Sequence, residues 1–63
     1  MGEKLIKFYK FANDKKGYMG KISLAQETKI PSTQAATAED SPENIEIFKK
    51  AITKVTGEQP PDV

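Results

Sequence analysis

The sequence predicts a small α+β fold in which a β-hairpin packs against one C-terminal amphipathic α-helix, and homodimerisation completes the core. Two segments, KLIKFYKF and YMGKISLA, are rich in aromatic and β-branched residues, which are typical of strands. A turn-forming NDKKG separates them, and apolar residues recur at helical spacing near the other end of the chain. The expected organisation is one domain at 1–57 with a hairpin at about 4–25, a loop at 26–40, a helix at about 42–56 and a flexible tail at 58–63.

The hairpin is defined by its turn. Asp14-Lys15-Lys16-Gly17 fits a type I turn with Gly17 in the left-handed position, which gives a three-residue loop with a bulge. The resulting register gathers the better core residues on one face, namely Ile6, Phe8, Tyr18, Ile22 and Leu24. The rival interpretation is a first helix, because four residues also recur at helical spacing: Leu5, Phe8, Tyr9 and Ala12.

The second half of the chain predicts a loop followed by a helix. The loop has no sustained period, and it allows a short third strand at Thr28–Ile30 or a helical turn at Gln34–Ala38. Ser41 is a suitable N-cap, Pro42 suits the first helical position and Gly57 a C-terminal stop. An apolar stripe between these signals is expected to cover the hairpin, and it consists of Ile45, Phe48, Ile52 and Val55.

Composition excludes several classes of chemistry. The 63 residues contain no cysteine and no histidine, so there is no disulfide, no usual zinc site and no Cys–His or Ser–His nucleophile pair. Neither a glycine-rich phosphate loop nor EF-hand spacing is present. We therefore expect a non-enzyme without metal or cofactor. No apolar run approaches membrane-spanning length and no cleavable signal pattern is present, which predicts a cytoplasmic protein with no membrane contact.

Charge is distributed unevenly along the chain. Residues 1–30 hold seven lysines and three acidic residues, whereas residues 31–63 hold three lysines and six acidic residues. Such asymmetry attracts a polyanion or complements itself in a dimer. All ten basic residues are lysine, and the absence of arginine argues against sequence-specific reading of bases.

The second face of the predicted hairpin is the candidate binding surface, because it interleaves aromatic and apolar side chains with lysines. Such a mixture is typical of single-stranded nucleic-acid binding, in which rings stack on bases and ammonium groups neutralise phosphates. It is also typical of a dimer interface whose lysine heads reach water. The function expected is weak, sequence-tolerant nucleic-acid binding, with a homodimeric protein-interaction adaptor or assembly subunit as the alternative. The candidate residues are Lys7, Tyr9, Phe11, Lys15, Lys16, Met19 and Lys21.

The stretch KGYMGKI, at 16–22, resembles the lysine-glycine-aromatic-glycine segment of cold-shock domains. That resemblance implies a strand of a five-stranded barrel whose aromatic residues stack on single-stranded nucleic acid. It carries over to Lys16, Tyr18 and Phe8. Met19 and Lys21 interrupt the family's pattern, and the remaining strands of the barrel have no counterpart in this chain.

Overall fold

Helices form all the regular structure between residues 2 and 60, the part of the chain that the computed structural model describes. The helices are α1 (Glu3–Thr28), α2 (Ser32–Ala35) and α3 (Pro42–Thr56). No residue in this range lies in a strand, so the predicted α+β class, the β-hairpin and the strand implied by the cold-shock resemblance are wrong. The predicted tail begins at residue 58, and its last three residues lie outside the described part.

A break at Gly17 divides α1 into a first arm (3–16) and a second arm (18–28). Gly17 has φ 68° and ψ −154°, which interrupts the helix. A Cβ built on Gly20 would lie 2.5 Å from the Ala12 carbonyl oxygen, whereas residues eight apart in an unbroken helix are about 12 Å apart. The second arm therefore folds back along the first. The chain therefore reverses at Gly17, but the predicted type I turn at Asp14-Lys15-Lys16-Gly17 is wrong, because residues 14–16 are helical and Gly17, with ψ −154°, lies outside the left-handed helical region.

The first arm is helical because its apolar residues form one helical face. That face is the one named in the rival interpretation, and it is buried: Leu5, Phe8, Tyr9 and Ala12. The rings of Phe8 and Tyr9 pack on Phe48, with centroids 5.9 and 5.7 Å away. Strand propensity of aromatic residues reflects packing on a half-buried surface, and here a helix face supplies that burial. The hairpin face that was predicted to be buried is wrong at Tyr18, because this residue is 71% exposed.

The two ends of α3 are those that the sequence predicts. The backbone N–H of Asn44 donates to Ser41 Oγ at 3.2 Å, so Ser41 is the N-cap. Gly57 has φ 72°, and its N–H donates to the Thr53 carbonyl at 2.9 Å, which closes the C-terminal end. The buried face of α3, centred on Phe48, covers the two arms of α1 instead of a hairpin.

The segment between α1 and α3 is attached to both ends of α1. The predicted third strand is absent from it, because Thr28 ends α1 and Lys29 adopts a left-handed conformation with φ 61°. Near the other end of α1, the Lys4 backbone N–H donates to Asp40 Oδ2 at 3.3 Å. Gly2 lies so close to the Ala35 carbonyl that no side chain fits there. The loop predicted at 26–40 therefore contains the end of α1 and all of α2.

Candidate functional site

An open groove of about 550 Å³ lies along α1 and receives side chains from both of its arms and from α2. None of its lining residues belongs to α3, so the groove occupies a surface that α3 does not cover. We call it the arm groove. It is lined by Ile6, Tyr9, Lys10, Asn13, Asp14, Lys21 and Ser32.

The polar lining of the arm groove follows from helical spacing. Ile6, Lys10 and Asn13 recur at steps of four and three residues, so they lie on the same side of the first arm. The fold-back at Gly17 then brings Lys21 of the second arm to the same groove. Ammonium groups therefore reach the groove from both arms, although the two lysines are far apart along the chain.

Tyr9 contributes a rigid and uncharged part of the lining. Only 4% of the residue is exposed, and its hydroxyl donates a hydrogen bond to the Ile30 carbonyl. Burial raises the pKa of the Tyr9 phenol above its usual value, so the group stays protonated at neutral pH. Because its ring faces are packed in the core, Tyr9 is not available to stack on a ligand.

Tyr18, the first residue of the second arm, carries a ring that is 71% exposed, although it is not one of the residues that line the groove. Tyr18 precedes Lys21 by three residues, so both lie on the same side of that arm, with Tyr18 one turn nearer the break. Met19 beside it is 67% exposed. One carboxylate, that of Asp14, also lines the groove and reduces its positive potential.

The structure does not place the seven predicted binding residues on one surface. Tyr9 and Lys21 line the arm groove, but Tyr9 does so from the core. Lys7, Lys16 and Met19 are exposed, and none of the three lines the groove. The binding role of these residues stays a prediction, whereas the hairpin face that was expected to unite them does not exist.

Phe11 and Lys15 form a separate pair. Phe11 is half-buried against the core, and the Lys15 ammonium lies 5.6 Å from the centroid of its ring. Lys15 also pairs with Glu58 at 3.3 Å, which ties the first arm to the residues after α3. Since Lys15 covers the ring and is itself paired, this part of the predicted surface is already occupied by the chain.

No family model matches the chain, and no curated protein or solved structure is significantly similar to it. Among residues 2–60, no three acidic, histidine or cysteine side chains are grouped closely enough to hold a metal ion. None of the helices described here is both long enough and apolar enough to cross a membrane.

Lys10 and Asn13 line the groove but are not among the predicted binding residues, whereas Tyr18, which the cold-shock resemblance named, is exposed and does not line it. Lys10 and Asn13 follow from the helical spacing that also includes Ile6, once the first arm is taken as a helix. The groove offers ammonium groups for anions, and amide and hydroxyl groups for hydrogen bonds. Such groups can interact with an anionic ligand.

Proposed function

We propose that the protein is a small non-catalytic binding module that holds single-stranded nucleic acid weakly, and without sequence preference, in the arm groove. One observation carries the proposal: Lys10 and Lys21 line one groove from two arms, and Tyr18, three residues before Lys21, has an exposed ring. Proteins that bind single strands combine a positively charged groove with rings on which bases stack.

The two lysines have a defined role in this proposal. Their ammonium groups neutralise phosphates of the strand and release the counterions condensed on it, so affinity falls with salt. On a single strand each phosphate contact contributes about 0.7 to the log–log salt slope. Lysine presents a point charge without the forked donors of arginine, so it distinguishes poorly between bases. The chain contains no arginine, which supports sequence-tolerant binding.

Asp14 supports the expectation that the binding is weak. Its carboxylate lines the same groove as the two lysines and repels a phosphate backbone. Asp14→Asn removes that charge with little change in shape, and we expect it to tighten binding. Glu46→Gln, on α3, is the matched control, because it removes one exposed carboxylate without touching the groove.

The proposal is tested by fluorescence titration of a labelled mixed-sequence single strand at several salt concentrations. Lys10→Ala and Lys21→Ala should each reduce the magnitude of the log–log salt slope by about 0.7, which makes the dependence on salt flatter. Lys50→Ala on α3 is the control and should leave the slope unchanged. Tyr18→Ala should cost about 1–3 kcal/mol of binding free energy with no change of slope, whereas Tyr18→Phe should retain the affinity.

Two results would overturn the proposal. Absence of binding at low salt and high micromolar protein removes nucleic acid as the ligand. Equal losses from Lys21→Ala and Lys50→Ala would show that binding follows total charge and does not use the arm groove.

The alternative function, a homodimeric adaptor or assembly subunit, was expected to use the aromatic hairpin face. Two of its aromatic residues are engaged within the monomer, since Tyr9 lies in the core and Phe11 is covered by Lys15. Self-association therefore requires another surface.

A further inference from the structure

The solvent side of α3 carries a stripe that the monomer leaves uncovered. Glu43, Ile47, Lys50 and Lys54 recur at steps of four, three and four residues, so they follow one line along the helix. All four are exposed, and 43% of Ile47 is accessible to solvent. We call this set the outer stripe of α3.

The outer stripe has a direction, because its acidic residue is at the N-terminal end, its apolar residue is in the middle and its lysines follow. A second α3 lying antiparallel to the first brings Glu43 of one copy opposite Lys54 of the other. The same alignment places Glu46 near Lys50 of the second copy. A parallel alignment instead places each charge opposite a charge of its own sign, which is unfavourable.

A shallow depression of about 240 Å³ lies beside the apolar centre of the stripe. It is bordered by Ile47, Lys50, Ala51 and Lys54 on α3 and by Glu27 on the second arm of α1. In the antiparallel alignment, Ile47 of one copy comes opposite Lys50 and next to Ala51 of the other. The Ile47 side chain of each copy can therefore enter the depression of its partner, and a two-fold axis makes the two contacts identical.

We propose that two copies of this chain associate weakly and antiparallel through the outer stripes of α3. The stripe is about 17 Å long at 1.5 Å per residue. A contact of that length buries less than the roughly 800 Å² per partner of a standard interface. Association should therefore be detectable only at high protein concentration.

Lys54 already has a partner within the monomer, since its ammonium lies 2.8 Å from Glu27. The Lys54 side chain is nevertheless 76% exposed, and an ammonium group has three donors. The Lys54 ammonium can therefore keep its ion pair with Glu27 while it contacts Glu43 of the second copy.

Self-association and nucleic-acid binding use different surfaces, because no residue of α3 lines the arm groove. The dimer leaves both grooves accessible, so either proposal can fail without the other.

Sedimentation equilibrium over a wide concentration range tests the dimer. The average mass of the wild-type protein should rise with concentration from 7.0 kDa towards twice that value. Ile47→Lys removes the apolar contact from both copies and should weaken association by at least about tenfold. Glu43→Lys should weaken it as well, whereas Glu3→Lys on α1 makes the same change of charge and should have no effect.

The orientation is tested by charge exchange. The variant with both Glu43→Lys and Lys54→Glu, made in a Glu27→Lys background that preserves an ion pair at position 54 within the monomer, should regain self-association, because each reversed charge again meets its opposite in an antiparallel pair. All substituted residues are exposed, so helical circular dichroism should remain that of the wild type. A protein that stays monomeric at millimolar concentration overturns the proposal. So does a dimer that is insensitive to Ile47→Lys, or one that the double exchange fails to restore.

Discussion

Local residues close both ends of α3, whereas the start of α1 receives its side-chain partner from a distant part of the chain. Ser41 caps the start of α3, and Gly57 ends it in a left-handed conformation. The start of α1 has no side-chain cap from its own N-cap residue and receives Asp40 from 36 residues away. Its other end is closed locally, since the Lys29 N–H donates to the Ala25 carbonyl, and just beyond it the hydroxyl of Tyr9 holds the Ile30 carbonyl.

This difference separates local from tertiary control of structure. The bounds of α3 follow from signals within about one turn of each end, so they are set locally. The conformation of α1 requires that its second arm pack on its first, and α3 on both. Substitutions in the core should therefore affect α1 most, and the following variants test that dependence.

Phe48→Ala should have the largest effect, because this ring is fully buried and contacts both Phe8 and Tyr9 of the first arm. Truncating a buried phenylalanine costs about 3–5 kcal/mol, which is most of the stability of a small domain. We expect a largely unfolded protein by circular dichroism and urea titration. Ile47→Ala, at the neighbouring exposed position, is the control, and a Phe48→Ala protein as stable as that control would show that Phe48 is not a core residue.

Changing either glycine of α1 to alanine should lower the free energy of unfolding by about 1–3 kcal/mol, for a different reason at each position. Gly17 has open space around it but has φ 68° and ψ −154°, a conformation nearly restricted to glycine. Gly20 is helical, but a Cβ there would lie 2.8 Å from that of Lys16. Urea unfolding measures both losses. Stabilisation by either alanine would contradict the fold-back of the second arm.

Tyr9→Phe should cost about 1 kcal/mol at neutral pH, because the Ile30 carbonyl loses the Tyr9 hydroxyl and keeps only the longer hydrogen bond from Thr28 Oγ1 at 3.3 Å. The raised pKa of Tyr9 also predicts a loss of wild-type stability as pH rises past 10.0, the usual pKa of tyrosine. Above that value the unfolded state ionises first and binds fewer protons than the folded state. The Tyr9→Phe protein should lose less stability in this range. Tyr18→Phe, at an exposed ring, should behave as wild type in both measurements.

Lys29→Gly should change the free energy of unfolding by a smaller amount and should stabilise the protein. Lys29 ends α1 at φ 61°, which is strained for a residue with a side chain. Glycine removes that strain, and we expect a gain of about 0.5–1 kcal/mol after its larger entropy loss. Lys10→Gly in the first arm makes the same substitution inside a helix and should instead cost about 1 kcal/mol. Thermal melts of the two variants should shift in opposite directions.

The contrast between α1 and α3 also explains what the sequence reveals. The range of α3 and the reversal of the chain at Gly17 can be predicted, because capping residues and glycine act locally, but the type of turn differs from the predicted one. The conformation on either side of Gly17 cannot, since short aromatic-rich segments suit a strand or a buried helix face equally. The arm groove could not be predicted either. The groove requires Lys10 and Lys21 to line the same surface. Their arms lie side by side because the second arm folds back and packs Gly20 against Ala12.

Chemical-shift mapping with a single-stranded oligonucleotide is the most direct test of the arm groove as the functional surface. It should be carried out on ¹⁵N-labelled protein at a concentration low enough to avoid self-association. We predict that the largest amide shifts fall at the groove residues of the first arm and at 18–21, while the outer stripe of α3 stays unchanged. Shifts concentrated on α3, or no shifts at low salt, would contradict this account.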